Sequence, residues 1–576
     1  MAKESAPPKR RKLAQDVVAK QEEILREQRF SVDAFNKLLD EYRVSEQLSE
    51  LWETYDRMLV VFPRSGEVWT SYAKDLMDKG ELKRLEKLFS KALPIVPYVP
   101  LWSTYIAHVQ QATAGNPDGA ATVSQAYEYT LDKVQYDSQS GQIWAQYIDF
   151  LDGLPAASSW EKQHKMDEMR KAYRRVVFLP VSNIEQLWRA YNGFENSVAR
   201  TAARKFIDER SAGYMHARSV VRELANLTKD LNTTTLPAPR EFNDAEKKQL
   251  TLWRKLINFE KSNPLTTDNE TVQARVLYTF RQALMSMQFF SELWFEYAAY
   301  CEQIGQTTDA VEGLQLGREV NPDSFFLTNR LAELYEEKDD YDSLEKVYRG
   351  LIASLQNRSE IDGLAVTVAF SELVRATKRM QGIERAREVS KEGRLLPYAT
   401  FHIFATLAEL EKQAGSTEIA ARIYQVAYTK FRDAPQFVRT YLTFLFEAND
   451  TRNAEVVFEK AASDFSPAQL RSLFELYLQK QASYGDTSLL SRLEQRYCEL
   501  YPDGHPVELY SRRFRLFGVD PIGEELHLEG PAPTSHELIP VPQSIVDLAQ
   551  QLPPEESYDG PEIDMNRLIE IIVEYA

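Results

Sequence analysis

The chain has 576 residues and a formal net charge of −17, from 69 Lys and Arg against 86 Asp and Glu. An acidic surface of this size repels a polyanion unless basic residues are clustered, which counts against nucleic acid as the main direct partner, and any RNA contact is expected to be mainly indirect. Two cysteines, Cys301 and Cys498, cannot build a disulfide framework or a Cys-rich zinc site, and 22 glycines are few for a sheet protein of this length.

Residues 1–29 form an N-terminal extension without the apolar core of a signal peptide. Lys9, Arg10, Arg11 and Lys12 follow Pro7-Pro8, a basic cluster expected to be extended, exposed and nuclear-import-like. No stretch reaches the ~20 apolar residues of a membrane span, so no membrane partner is expected.

From residue 30 to 229 an aromatic pair recurs at i, i+3: Trp69 and Tyr72, Trp102 and Tyr105, Trp144 and Tyr147, Trp188 and Tyr191. The spacing puts both rings on one helical face, one turn apart. Trp253 and the pair Trp294 and Tyr297 continue the series, and successive anchors lie 33, 42, 44, 65 and 41 residues apart. After each anchor comes a second apolar stripe at helical spacing, as in Leu85-Leu88-Phe89-Ala92 (i, i+3, i+4, i+7) or Ala172-Tyr173-Val176-Val177, often closed by proline. Each unit therefore reads as two helices joined by a short turn. Neither can bury its stripe alone, so stacked units share a continuous core. Trp52 and Tyr55 have the same spacing but fall where a second helix is expected. Beyond Trp294 the tryptophans stop, and Phe326, Val366, Phe404 and Phe437 are expected to take the anchor position.

The predicted fold is thus all-α, a superhelical α-α solenoid of about 11–12 TPR-like hairpins, in two arrays with a Pro-rich tail. The arrays are 30–229 and 245–502. Between them, 230–244 carries the non-helical run Asn232-Thr233-Thr234-Thr235-Leu236-Pro237 and reads as a connector. Residues 503–576 hold 15 acidic and 4 basic side chains and nine prolines, an acidic tail that cannot continue the array. Near its end Leu568, Ile569 and Ile572 make an apolar helical stripe that wants a partner helix.

Catalytic chemistry is not apparent. There is no phosphate-binding glycine loop, no HExxH and no Cys/His metal spacing, and the seven histidines are scattered. Asp339-Asp340 reads as a solvated turn. No enzyme activity, cofactor or metal is expected. Arg200, Arg204, Lys205, Arg210, Arg218 and Arg222 form the densest basic run outside the N-terminus, on helices whose charged face reads first as solvated.

The units resemble the half-a-TPR, or HAT, repeat, in which a Trp-x-x-Tyr helix, often with a following Glu, precedes an Ala-Arg-x-x-Tyr/Phe helix. Trp253-Arg254-Lys255-Leu256-Ile257-Asn258-Phe259-Glu260 is one instance, with Leu256 in the usual Tyr position. Three stretches outside the repeat pattern, Asn183–Tyr191, Arg210–Arg218 and Phe259–Leu265, resemble one family more narrowly. This is the suppressor-of-forked (Suf) family, the HAT-repeat subunit of cleavage stimulation factor and its fungal counterpart. The resemblance implies a non-catalytic nuclear scaffold of pre-mRNA 3′-end cleavage and polyadenylation. It also implies a homodimer formed through the second array. The tail would hold the hinge of an RRM-type RNA-binding subunit through Pro540, Pro542, Leu552, Pro553, Gly560, Pro561, Leu568, Ile569 and Ile572. A WD40 propeller subunit and the cleavage and polyadenylation specificity factor are further implied contacts, although the proline-rich stretch before the last helix is short. Two alternatives stay open: a HAT scaffold of a spliceosomal U1-type particle, which the tail motif argues against, and an α/α-toroid enzyme, for which no convergent carboxylates are visible.

Overall fold

The computed structural model describes residues 8–526, apart from 117, 157, 199–202, 233–235, 238, 359, 503–505 and 515–520. Every regular element among them is helical. Packing divides the chain into two compact units, Met1–Ile403 and Phe404–Ala576.

Helix α1 (Pro8–Glu27) leads into the first hairpins. These are α2 (Val32–Val44) with α3 (Leu48–Val61), α4 (Gly66–Lys79) with α5 (Leu82–Ala92), and α6 (Val99–Ala112) with α7 (Gly119–Val134). After a 3₁₀ turn (Ser138–Ser140) come α8 (Gly141–Gly153) with α9 (Ser159–Val176), and α10 (Ile184–Val198) with α11 (Ala203–Thr228). Beyond residues 229–243, α12 (Asp244–Lys261) pairs with α13 (Asn269–Ser286), and α14 (Ser291–Gln303) with α15 (Thr307–Val320). Next are α16 (Phe325–Glu337) with α17 (Tyr341–Gln356), and α18 (Gly363–Gln381) with α19 (Ile383–Arg394). The boundary between the units falls within α20 (Phe401–Gln413), which pairs with α21 (Thr417–Phe431). Then come α22 (Pro435–Glu447) with α23 (Thr451–Asp464), α24 (Pro467–Tyr484) with α25 (Thr487–Leu500), and the short α26 (Pro506–Arg512) and α27 (Pro521–Glu525).

The hairpins α2–α3 to α24–α25 bury the periodic apolar residues. Leu51, Tyr55, Leu76, Leu85, Leu131, Trp144 and Val176 are wholly inaccessible in the first unit, as are Phe437, Leu442, Phe458 and Phe474 in the second. Helix starts are set by side-chain caps. Ser65, Asn243, Asp268, Ser324, Asp340, Asp362 and Asp450 each accept a backbone N–H from the first turn, and Ser158 with Glu161 forms a reciprocal capping box.

The turn inside a hairpin is also stereotyped. Gly80, Gly305 and Gly415 follow their helices with φ of 74°, 81° and 86°. The next N–H then reaches back to a carbonyl in the last turn, as in Glu81 to Leu76 at 3.0 Å and Gln306 to Cys301 at 2.8 Å. This closes the carbonyls that a helix end leaves open. Glu46, Asp339 and Asn449 adopt the same left-handed conformation without being glycine, at φ of 54° to 56°.

Two expectations are corrected. The cluster Lys9–Lys12 is not extended: it lies in α1, where helix-favouring Lys, Arg, Leu and Ala follow one another. Phe326 is not an anchor, being 46% exposed. With Ser324 capping α16, the buried stripe falls on Leu327, Leu331 and Leu334, while Phe326 packs outside against Phe295 with ring centroids 4.6 Å apart. Val366, Phe404 and Phe437 are buried.

Candidate interaction site

The repeat anchors are held by a device that depends on where each Trp sits in its helix. In α4, α6 and α14 the indole is on the fourth residue, so the carbonyl six residues back lies in the preceding loop. Trp69 donates to Pro63 at 2.9 Å, Trp102 to Val96 at 3.1 Å and Trp294 to Gln288 at 2.8 Å. Trp144 is also fourth in α8, but the carbonyl of Ser138 already accepts the N–H of Ser182 at 2.7 Å, and the indole N–H of Trp144 stays unpaired. The Arg175 guanidinium covers its ring instead, at 4.9 Å. Trp253 lies well inside α12. The carbonyl of Lys247 is there part of the helix and accepts from the Thr251 hydroxyl, leaving the Trp253 N–H unpaired. Tyr72, Tyr147 and Tyr297 are buried with their tryptophans and Tyr191 is buried too, whereas its partner Trp188 and the Tyr105 ring are half-buried.

The Glu and Arg of the HAT pattern meet. Glu260 on α12 and Arg275 on α13 pair at 2.6 Å, both more than nine-tenths buried. Burial pushes the Glu260 carboxyl up, and Arg275 pulls it back. Two buried charges this close are tolerated only as a pair.

The three narrower sequence stretches come together at one place in the first unit. Glu185 of α10 pairs with Arg218 of α11 at 2.6 Å. Trp188 stacks on Tyr214, with centroids 4.4 Å apart and planes 3° from parallel. Asn183 donates from Nδ2 to the Gly141 carbonyl at 3.0 Å, tying α10 to α8. His216 reaches the carbonyl of Pro264 through Nε2. Asn263 closes that turn on Thr267, accepting its N–H at 2.9 Å and donating to its carbonyl at 2.8 Å. Gly213 has a steric reason: a Cβ there would overlap the edge of the Phe178 ring.

Sequence reasoning missed how α12–α14 dock against the first hairpins. Tyr278 on α13 donates to Asp137 at 3.0 Å, and Gln282 donates to the same oxygen at 2.6 Å. Asp137 also accepts the N–H of Gln139 at 2.8 Å. Burial raises the Asp137 carboxyl above the usual range, and these donors oppose it. The residue keeps partial access through a cavity of about 390 Å³ shared with Tyr136 and Trp253. Arg64, between α3 and α4, stacks on Trp294 at 4.7 Å, and burial lowers its pKa to about 10. Phe30 meets Phe289 edge-on at 5.3 Å. Tyr278 reads in the sequence as the tyrosine of the second-helix repeat pattern, and Gln282 and Asp137 have no periodic role, so nothing in the sequence marked this dock.

On α9 and α11 the cations gather around a surface depression of about 670 Å³, bounded by Arg170, Lys171, Arg174, Arg175, Phe178, Arg210 and one acid, Asp167. Arg170 is bidentate to the buried Glu195, Arg175 pairs with Glu128 at 2.6 Å, and Lys171 lies 3.5 Å from Glu168. Arg170 and Arg174 flank the Phe206 ring at 5.5 and 5.4 Å, and Arg210 stacks on Phe178 at 5.2 Å. Arg204 is 93% exposed on its side chain and Lys205 is exposed.

Pro540, Pro542, Leu552, Pro553, Gly560, Pro561, Leu568, Ile569 and Ile572 lie outside the described residues. Among the described residues, no group of three or more His, Cys, Asp or Glu is placed to hold a metal ion, and no helix is long and apolar enough to cross a membrane.

The family model for Suppressor of forked protein (Suf) matches residues 16–526. The mRNA 3′-end-processing protein RNA14 of Yarrowia lipolytica is 32% identical, covering 98% of this chain and 76% of its own length. The protein of the same name from Schizosaccharomyces pombe is 31% identical, over 89% of this chain and 75% of its own. Cleavage stimulation factor subunit 77 of Arabidopsis thaliana is 29% identical over 77% of this chain and 60% of its own. A crystal structure of CstF-77 superposes with a TM-score of 0.54 at 18% identity, covering 76% of this chain and 89% of that one, and so shares the fold.

Proposed function

The chain belongs to the suppressor of forked family, and on that premise we propose that it is a non-catalytic scaffold of pre-mRNA 3′-end cleavage and polyadenylation, working in the nucleus. The observation that carries this reading is the match across residues 16–526 to a family whose similar members are named for 3′-end processing. The architecture agrees in kind. A run of hairpins spends its aromatic residues on packing and leaves long charged faces on its outer turns, which suits an assembly platform.

In this reading the array 245–502 pairs two copies, and the acidic tail holds an RRM-type RNA-binding subunit. The tail's prolines keep it from folding back as array, and the stripe Leu568, Ile569 and Ile572 supplies an apolar face for a partner helix. Propeller-type and specificity-factor subunits dock on other surfaces, and the cluster Lys9–Lys12 serves import.

The test is co-purification of the full chain, and of a form ending at Glu537, with the RRM-type 3′-processing protein of the same organism. Retention by the full chain alone is the expected result. Failure of both forms to retain it, together with capture of U1-particle proteins from nuclear extract, would put the chain in a splicing particle instead.

A further inference from the structure

The scaffold reading makes RNA contact indirect, yet one part of the chain has the opposite charge from the rest. Residues 159–228, which span α9 to α11, carry thirteen Lys and Arg against eight Asp and Glu, a net of +5 in a chain of net −17. A local excess this far against the background is a footprint for an anionic ligand.

The depression on α9 and α11 is where that excess is least neutralised. Arg170 and Arg175 are already matched by Glu195 and Glu128. Arg174 and Arg210, by contrast, have no carboxylate within ion-pair distance among the described residues. Each is fixed by stacking on a phenylalanine, Phe206 and Phe178 respectively. A stacked guanidinium is oriented without being neutralised, so its terminal nitrogens can meet a phosphate even where, as in Arg174, the Nε is itself buried. Lys171, one turn from Arg174 on the same helix and 60% exposed, adds a third cation, held only by a solvent-facing pairing with Glu168 at 3.5 Å. Successive turns of a helix are ~5.4 Å apart, a spacing comparable to that of neighbouring phosphates on an extended strand. Phe178 is half-buried at the edge of the depression, where a base can stack.

We propose that the α9–α11 depression is a direct contact for single-stranded RNA, with Lys171, Arg174 and Arg210 on the phosphodiester backbone and Phe178 beside a base. This deepens the scaffold reading and rests on it for the presence of RNA. An acidic peptide is the competing ligand. It lacks the tetrahedral, multi-oxygen anions that a guanidinium fork engages and offers no base to Phe178.

The full chain alone, without any RNA-binding subunit, is titrated against a fluorescein-labelled 20-nucleotide uridylate RNA by anisotropy at several salt concentrations. The double variant Arg174→Glu/Arg210→Glu should weaken binding at least tenfold near 0.1 M salt. It should also flatten the salt dependence by about 1.4 in slope, since each phosphate left unneutralised on a single strand removes about 0.7. Arg174→Gln/Arg210→Gln should show a smaller fall in affinity with the same change of slope. Lys338→Glu, on an exposed turn elsewhere in the same unit, should change neither. Circular dichroism melting shows whether each variant is folded, and the Gln pair keeps the test open if the Glu pair is not.

Unchanged affinity and slope in a folded double variant would overturn the proposal. So would displacement of the RNA by a polyglutamate peptide at equal concentration, which would make the site one for acidic protein. Because the tail and its subunit take no part, failure here leaves the tail experiment unaffected, and failure there leaves this one standing.

Discussion

Trp294 and Trp253 have the same side chain and nearly the same burial, at 1% exposure each, but different hydrogen bonding. Only Trp294 has its indole N–H satisfied, by the Gln288 carbonyl. Replacing each with Phe removes similar volume and keeps a ring under Arg64 at the Trp294 site, so the difference between the two variants reports chiefly on that hydrogen bond. Trp294→Phe should cost about 0.5–1.5 kcal/mol more than Trp253→Phe in urea unfolding. Equal destabilisation would mean the bond contributes nothing net. Gly317 adds a packing reason at the same site, because a Cβ there would press into the Trp294 ring. The tryptophans could be picked out from the sequence by spacing alone. Their partners could not, because whether a loop carbonyl is free depends on where the helix begins.

At the scale of elements, the hairpin turns repeat one backbone solution with unequal sequences. A left-handed residue costs a non-glycine roughly 1–2 kcal/mol. Gly305 meets the requirement freely, whereas Glu46 carries a side chain at φ 54°. Gly305→Ala should therefore destabilise by about 1 kcal/mol, and Glu46→Gly should stabilise by about 0.5 kcal/mol after the added freedom of the unfolded chain is counted. Thermal melts of the two variants shifting in opposite directions is the expected outcome, and a parallel shift would show that the turn is not the controlling feature. Asp339-Asp340 is the same device with acids: Asp339 takes the left-handed position, and Asp340 caps α17 through the N–H of Ser343. This is the solvated turn that its polarity suggested.

At the scale of the whole first unit, the dock of α12–α14 on the first hairpins turns on Asp137. Its folded-state pKa is raised by burial, so ionisation opposes folding. The sign follows from linkage. The cost is fully present above the folded pKa and fades as pH falls toward the unfolded carboxyl value of about 3.9. Asp137→Asn removes the charge while leaving Oδ1 to accept from Gln139, and the Gln282 amide can turn to meet it. The variant should melt higher than the parent at pH 8, with the gap closing as pH approaches 4. A lower melting temperature at pH 8 would mean that the hydrogen bonds from Tyr278 and Gln282 to the charged carboxylate outweigh its desolvation. Along the whole chain charge also separates: the acid excess lies largely in residues 503–576, and a basic excess lies in residues 159–228.

The all-helical hairpin repeat, its aromatic anchors and the family resemblance were legible in the sequence because they rest on local periodicity and side-chain type. Hydrophobic stripes at helical spacing leave a chain little choice but to stack. One anchor, Phe326, was misread because a residue's register within a helix is set by the cap, and Ser324 moved the stripe by one position. Tertiary structure alone decided three things. It joined Asn183–Tyr191, Arg210–Arg218 and the turn at Pro264 into one cluster. It brought Tyr278 and Gln282 to Asp137, more than 140 residues away. It also sorted the arginines of α9 and α11 into those neutralised by glutamates and those held against phenylalanine rings. Each depends on contacts between residues distant in the chain, whose pairing follows from how the hairpins stack and from no pattern within any one of them.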